Sequence, residues 1–183
     1  MIACDFLTVD TVSFRRYYVL FFIELGTRRV RLAGITRNPS GGWVTQQARN
    51  LVIDGGGRER PLRFLIHDRD AKFSAAFDEV FRTEGIRVIR TPVKAPNANA
   101  HAERFVRTLR EECLDSLMIV GQRQLERILR DYVEHYNRER PHRALDLRPP
   151  QAPLVLPLPA HPDAAVQRRE RLGGLIHEYA WAA

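Results

Sequence analysis

The first third of the chain alternates between apolar runs and short polar turns, a pattern typical of β-strands. Residues 1–9 read MIACDFLTV, residues 17–25 read YYVLFFIEL, and a third apolar run covers residues 29–36. Gly26 and Thr27 leave only a tight turn between the second and third runs, which favours an antiparallel hairpin. The pattern therefore predicts that the chain opens with three antiparallel strands.

The middle of the chain alternates helical and strand-like patterns. After a break at NPSGG, apolar residues recur at helical spacing; they are Val44, Ala48, Leu51 and Val52. Residues 62–67 and 86–91 are short apolar runs that predict a fourth and a fifth strand. Ser74 is a suitable N-cap for a helix between them, and Gly85 is a suitable stop. Strands that alternate with helices indicate parallel pairing.

Two further helices follow the fifth strand. The first begins in the loop KAPNANA, where Asn97 or Asn99 can act as its cap, and its predicted apolar face is formed by Val106, Leu109 and Cys113. The second carries the clearest helical stripe of the chain and ends near Pro141; its apolar positions are Leu125, Ile128, Leu129, Tyr132, Val133 and Tyr136.

These elements predict an α/β domain over residues 1–148, with a five-stranded mixed sheet of three antiparallel strands followed by two parallel ones, flanked by helices. Residues 149–183 begin with the proline-rich stretch PPQAPLVLPLPAHP and end with RRERLGGLIHEYAW. We interpret this part as an extended connector followed by a short C-terminal docking arm. Its Gly-Gly pair argues against a regular helix.

The charge balance indicates a polyanionic partner. The chain carries 29 Lys and Arg against 22 Asp and Glu, a net charge of +7, and all basic residues except Lys72 and Lys94 are arginines. Arginine binds phosphate through planar, bidentate contacts, so nucleic acid is the simplest partner, although biased codon usage would enrich arginine equally. No signal peptide or membrane-length apolar run is evident, and two cysteines form no disulfide framework. We therefore expect a cytoplasmic protein without a membrane partner.

Three acidic residues stand out by position. Asp5 lies inside an apolar strand, where an unpaired carboxylate is costly, Asp68 follows the fourth strand, and Glu103 lies one turn inside the helix after the fifth. Each has an ordinary alternative: Asp5 could cap a turn or pair with an arginine, and Glu103 could form a surface pair with Arg107. Together they predict a metal site, because Mg²⁺ prefers carboxylate oxygens and two bridged ions can support phosphoryl transfer.

Four motifs carry a resemblance to a known family over roughly residues 1–150. They are ACDFLTVDT, FLIHDRDAKF, APNANAHAERFVRTLREEC and YNRERPHRAL. The chain resembles the catalytic core of DDE transposases and retroviral-type integrases, and most closely that of bacterial insertion-sequence transposases. This resemblance implies a ribonuclease H-like fold, a catalytic metal-binding triad of Asp5, Asp68 and Glu103, and two Mg²⁺ or Mn²⁺ ions. The separation of Asp68 and Glu103, 103 − 68 = 35 positions, is close to that of the family.

The resemblance also implies how the chain acts on DNA. It implies cleavage at mobile-element ends and strand transfer into target DNA, by at least a dimer, in the nucleoid of a bacterial cell. A separate domain or chain would recognise the ends, since no helix-turn-helix or zinc module precedes the first strand. The predicted DNA contacts are Lys94, Asn97, His101, Arg104, Arg107 and Arg110. His101 could equally form a hydrogen bond within the loop.

Some positions depart from the family pattern, and two alternative functions stay open. His67 stands where the family often has Ser, and Asp70 stands where it often has Gly, so Asp70 could compete for metal or face solvent. Asp10 is a weaker rival for the role of Asp5. The alternatives are a non-catalytic DNA-binding remnant of a transposase and a ribonuclease H-like nuclease acting on RNA–DNA hybrids.

Overall fold

A computed structural model describes residues 1–55, 61–92, 99–152 and 165–182. Its main sheet has five strands in the spatial order β3-β2-β1-β4-β5. Their bounds are β1 Ile2–Asp10, β2 Arg16–Glu24, β3 Val30–Thr36, β4 Phe64–His67 and β5 Arg87–Arg90. The pairs β1–β2 and β2–β3 are antiparallel, whereas β1–β4 and β4–β5 are parallel. The predicted mixed sheet is confirmed.

The central strand β1 forms two unequal sets of contacts. It pairs with β2 along its whole length, from Ile2 opposite Glu24 to Asp10 opposite Arg16. On its other side it pairs with β4 only at Ile2 and Ala3. Beyond that point β1 continues without β4, which leaves a gap at the carboxyl end of the parallel strands. Open α/β sheets bind their ligands at such a gap.

Helices cover both faces of the sheet. Their bounds are α1 Gly41–Asp54, α2 Ala75–Thr83, α3 Ala100–Glu112 and α4 Gln122–Arg138. Helices α1 and α2 pack on the face that carries Cys4 and Phe22, and α3 and α4 pack on the face that carries Ala3, Leu7 and Phe21. Because successive strand residues point to opposite faces, Asp5 shares a face with Ala3 and Leu7 and lies on the side of α3.

The two C-terminal helices of the core agree with the sequence pattern to different degrees. All six predicted apolar residues of α4 are buried, together with Asn137. In α3 the buried side chains are Ala102, Phe105 and Leu109, while Val106 is only partly buried. Leu109 and Cys113 of the predicted apolar face are buried, and Val106 packs against the same core. The prediction missed Phe105, which packs against Phe21 with ring centroids 4.9 Å apart.

Residues of the motif YNRERPHRAL form polar contacts between α4 and its neighbours. The side-chain amide of Asn137 accepts a hydrogen bond from the main-chain N–H of Val30 at 2.9 Å and donates to the main-chain oxygen of Val30 at 2.8 Å. Arg140 donates to both carboxylate oxygens of Glu112, which also accepts from the hydroxyl of Tyr132 at 2.8 Å. The motif thus attaches the end of α4 to β3 and to the end of α3.

The C-terminal segment forms a hairpin of β6 (Val166–Arg171) and β7 (Ile176–Trp181). Ile176 joins the core on the α4 side, and Nδ1 of His135 on α4 lies 2.9 Å from the carboxylate of Glu178. The domain boundary at residue 148 stays a prediction, and most of the predicted connector lies outside the described residues. No helix among the described residues is long and apolar enough to cross a membrane.

Candidate active site

The sheet register brings two of the predicted acids to the same place. Ala3 of β1 is paired with Ile66 of β4. Asp5 and Asp68 each follow two residues later in the chain, and Asp68 lies just past the end of β4. Glu103 lies in the first turn of α3, which packs on the same face of the sheet as Asp5. The structure therefore brings all three acids to the carboxyl end of the parallel strands.

A cleft of about 380 Å³ opens between β1 and α3. Its lining residues are Asp5, Phe6, Glu103, Val106, Arg107, Arg110, Glu111 and Asp115. Asp5 and Glu103 thus face one cleft, with two arginines of α3 beside them. Asp68 is not among the lining residues, and it acts on Asp5 through its charge.

Asp5 experiences an unfavourable electrostatic environment for a carboxylate. Burial, together with the charges of Asp68, Glu103 and Asp70, raises its pKa to about 6, against the opposing effect of a hydrogen bond from the main-chain N–H of Phe6. The sequence had left open a pairing of Asp5 with arginine. No lysine or arginine in the described part of the chain forms an ion pair with Asp5, so its charge is not balanced there.

The raised pKa predicts that Asp5→Asn stabilises the protein in the absence of divalent ions. Well below pH 4 both the folded and unfolded states hold the Asp5 proton, so the substitution should change little. As pH rises through 4 to 6, ionisation favours the unfolded state, and above pH 6 the gain from Asp5→Asn should reach about 1–3 kcal/mol. Urea unfolding at pH 4 and pH 8 in EDTA measures this difference.

The control for this experiment is Asp115→Asn, which removes an exposed carboxylate from the same cleft. Its effect on the free energy of unfolding should stay within about 0.5 kcal/mol at both pH values. A loss of stability in Asp5→Asn at pH 8 would contradict the electrostatic account of Asp5.

Two further acids, Asp70 and Asp10, are each paired with a basic residue. Oδ1 of Asp68 accepts a hydrogen bond from the main-chain N–H of Asp70 at 3.0 Å, whereas the carboxylate of Asp70 binds Lys72. Partial burial raises the pKa of Asp70, but its bonds to Lys72 outweigh that effect and lower the pKa below its usual range. Asp10 is exposed and forms a bidentate pair with Arg16 at 2.8 and 2.9 Å.

A buried charged network, which sequence reasoning missed, lies directly behind Asp68. Nδ1 of His67 is 2.6 Å from the main-chain oxygen of Asp68, and Nε2 is 2.9 Å from Oδ1 of Asp78. Both ring nitrogens of His67 therefore have hydrogen-bond partners in a buried position. The carboxylate of Asp78, which is 0% exposed, also binds Arg82 and Arg90. The only sequence signal was an acid on the inner side of a helix between Phe77 and Phe81.

The predicted DNA contacts are only partly open to solvent. Arg104 and Arg107 are exposed on α3, whereas Arg110 donates to the main-chain oxygen of Thr8 at 2.7 Å and holds α3 against β1. Nδ1 of His101 lies 2.7 Å from the guanidinium of Arg28, which favours the hydrogen-bonding alternative. Burial, Arg28 and Arg104 lower the pKa of His101. Lys94 and Asn97 lie outside the described residues.

Asn99 occupies the N-cap position of α3, but its side chain forms no capping hydrogen bond. Its amide nitrogen instead donates to the main-chain oxygen of Cys4 at 3.3 Å and lies 3.5 Å from Oδ2 of Asp5. The sequence identified Asn99 as one of two possible caps and missed this contact.

The chemistry of the acids fits a divalent cation, while their arrangement does not form a closed site. Mg²⁺ and Mn²⁺ prefer oxygen ligands, which the carboxylates of Asp5, Asp68 and Glu103 supply. The partly buried carboxylate of Asp5 has no ion-pair partner among the described residues. Within the described ranges, however, no group of three or more acidic, histidine or cysteine side chains lies close enough together to hold an ion. A cation here would have to draw the carboxylates of Asp5, Asp68 and Glu103 closer together.

Comparisons with known proteins agree with this architecture. Residues 84–150 match the family model described as an integrase core domain. The chain is 34% identical over 148 residues to the uncharacterized 39.2 kDa protein of insertion element IS476 from Xanthomonas euvesicatoria. That alignment covers 80% of this chain and 41% of the relative, so the chain spans about two fifths of the relative's length.

Solved structures share the fold at low sequence identity. The catalytic core domain of BIV integrase superposes with a TM-score of 0.56 and 14% identity, covering 81% of this chain and 90% of that chain. The catalytic domain of Mos1 mariner transposase gives 0.60 and 11%, covering 73% and 69%. The catalytic core of HTLV-2 integrase in complex with magnesium gives 0.51 and 13%, covering 75% and 84%.

The sheet order and the flanking helices give this chain the ribonuclease H-like fold that the integrase and mariner transposase catalytic domains share. Residues 84–150 match the integrase core domain model, and the chain is similar to a bacterial insertion-element protein.

Proposed function

We propose that this chain is the catalytic core of a DNA transposase that cuts DNA strands and transfers them to a new site in a reaction dependent on divalent metal ions. The observation that carries the proposal is the carboxylate of Asp5, which has no ion-pair partner among the described residues, shares a cleft with Glu103 and is affected by the charge of Asp68. The magnesium in the related HTLV-2 integrase core supports a metal-dependent reaction here.

Each acid would have a defined role in this reaction. Asp5 and Asp68 would hold one Mg²⁺ or Mn²⁺ ion between them, and Glu103 would complete the site for a second. When bound, such ions activate the attacking oxygen and stabilise the leaving oxygen of a phosphodiester. The network of His67 and Asp78 fixes the main chain at Asp68, and Arg110 fixes α3, and with it Glu103, against β1.

The exposed arginines of α3 would position the DNA. Arg104 and Arg107 lie on the solvent side of the helix that carries Glu103, and Arg107 lines the cleft. Contacts of arginine with phosphate fix the position of a duplex without reading its sequence. Strand transfer between two DNA ends needs two such cores, so we propose that the protein acts as an oligomer on DNA. Recognition of specific ends would come from a separate domain or chain.

Nicking of supercoiled plasmid by the purified protein tests the proposed reaction. With Mg²⁺ or Mn²⁺ we expect nicked circles to accumulate, and with EDTA or in the Asp68→Asn variant we expect the rate to fall to background. Binding of Mn²⁺, measured by electron paramagnetic resonance, provides a second readout.

Equal nicking by the wild type and Asp68→Asn would assign the cutting to another source. A wild type that neither nicks nor binds Mn²⁺ would contradict the catalytic proposal and favour the non-catalytic alternative. Preferential cutting of an RNA–DNA hybrid over a DNA duplex would favour the nuclease alternative.

A further inference from the structure

Asn99 lies at the N-cap of α3, but its side chain does not form the contact that is usual for an N-cap residue. Asparagine at an N-cap ordinarily accepts a hydrogen bond from an N–H of the first helical turn. Ser40 and Ser74 do so at α1 and α2, each accepting from the residue three positions further on. Asn99 forms no such bond. Its side chain turns away from the helix and towards the sheet, so α3 gives up a side-chain cap that the sequence could supply.

The side-chain amide of Asn99 has only one orientation that suits its surroundings. Its nitrogen faces the main-chain oxygen of Cys4 and a carboxylate oxygen of Asp5, which are both acceptors. An amide rotated by 180° would place its oxygen against those two acceptors, which is unfavourable. The nitrogen must therefore be the atom that contacts Asp5.

The oxygen of the same amide accepts no hydrogen bond from the described residues. Asn99 is 7% exposed, and its Oδ1 atom is buried without a hydrogen-bond donor among the described residues. Buried acceptors are rarely left unpaired, and exceptions concentrate at functional sites. Two local costs, a lost cap and an acceptor without a donor among the described residues, thus accompany the contacts of Asn99 with Cys4 and Asp5.

We propose that Asn99 is a positioning residue for Asp5, which holds one oxygen of that carboxylate in the orientation needed for the reaction. The inference rests on the proposed function, because it assigns Asn99 a role in that same site. The main-chain N–H of Phe6 donates to Oδ1 of Asp5 at 2.7 Å, and the amide nitrogen of Asn99 lies 3.5 Å from Oδ2. Between them, the two donors leave Asp5 little rotational freedom.

Asn99 also links two elements of the site. It is the residue that precedes α3, and Glu103 lies four positions later on that helix. A contact from Asn99 to Cys4 and Asp5 therefore ties the start of α3 to the middle of β1. The separation between the carboxylates of Asp5 and Glu103 depends on this tie, and a change at Asn99 should alter both the orientation of Asp5 and the spacing of the pair.

The test compares Asn99→Ala and Asn99→Asp with the wild type in Mn²⁺ affinity and plasmid nicking. Asn99→Asp keeps the shape of the side chain but replaces the donor with a carboxylate. For Asn99→Ala we expect a Kd for Mn²⁺ about 10-fold to 100-fold higher and a similar loss in nicking rate, as for other residues that orient metal ligands. Asn99→Asp should nick at least as slowly, because it removes the donor and repels Asp5.

The matched control is Ser74→Ala, which removes a side-chain cap that is present in the structure. We expect it to lower the melting temperature by about 2–4 °C without changing Mn²⁺ affinity. Asn99→Ala should lower the melting temperature by no more than this, so that its loss of activity is not a loss of folding.

Wild-type affinity and nicking in both Asn99 variants would overturn the inference while leaving the proposed function intact. If the wild type itself binds no Mn²⁺, the proposed function fails, and a crystal structure of Asn99→Ala still decides the positioning claim. A displaced or disordered Asp5 carboxylate would support it, and an unmoved one would overturn it.

Discussion

Replacement of Glu103 by glutamine is expected to lower metal-dependent nicking by at least about 10³-fold without unfolding the protein. Glutamine keeps the size of the side chain but removes the charge that a divalent ion requires, and metal-ion stabilisation of the transition state is worth several kcal/mol. Glu103 is exposed and lies on the solvent side of α3, so the fold does not depend on its charge. Nicking rates and circular dichroism of the purified variant measure the two effects.

Glu111→Gln provides the control for this experiment. Glu111 lies two turns further along the same helix and lines the same cleft, but it is not one of the acids that act on Asp5. We expect its nicking rate to stay within about threefold of the wild type. If Glu103→Gln retained activity while Glu111→Gln lost it, the third carboxylate of the site would have to be reassigned to Glu111.

Removal of the buried carboxylate of Asp78 is expected to produce the largest loss of stability. Asp78→Ala leaves Nε2 of His67, which is 1% exposed, without its hydrogen-bond partner, and it removes the buried carboxylate that binds two arginines. Breaking a buried ion pair on one side costs about 3–5 kcal/mol, which corresponds to a fall in melting temperature of roughly 10 °C in a chain of this size. Urea unfolding at pH 7 measures the free energy directly.

Glu79→Ala is the matched control, because Glu79 is the next residue of α2 and its side chain is 62% exposed. Among the described residues it forms an ion pair only with Arg82, at the surface, so its effect should stay within about 0.5 kcal/mol. A comparable loss of stability in both variants would show that any substitution in this part of α2 is destabilising. The loss in Asp78→Ala could then not be assigned to its buried charge.

Much of the fold follows from local pattern. The strands were predictable because each is a short apolar run bounded by turn residues, and α4 was predictable because its buried stripe is uninterrupted. The adjacency of Asp5 and Asp68 also follows once β1 and β4 are taken as parallel neighbours, because two short strands that begin in register also end together.

The remaining features depend on contacts between distant parts of the chain. Periodicity places Phe105 and Val106 near the same face of α3, and only packing against Phe21 of β2 selects Phe105 as the buried one. The pairing of His67 with Asp78 needs β4 and α2 to meet, and the turn of Asn99 away from its helix needs Asp5 as a neighbour. The local sequence predicts that the Asn99 side chain caps α3, whereas in the structure it contacts Cys4 and Asp5.

The contact between Asn137 and Val30 has a consequence for how copies of this protein can associate. Strand β3 is the last strand on its side of the sheet, and its unpaired main-chain groups would be a template for a strand from another molecule. At Val30 the amide of Asn137 occupies both the donor and the acceptor, as the backbone of an added strand would. Sheet extension and fibre growth are blocked at that residue, so any association between copies of this protein would have to use its other surfaces.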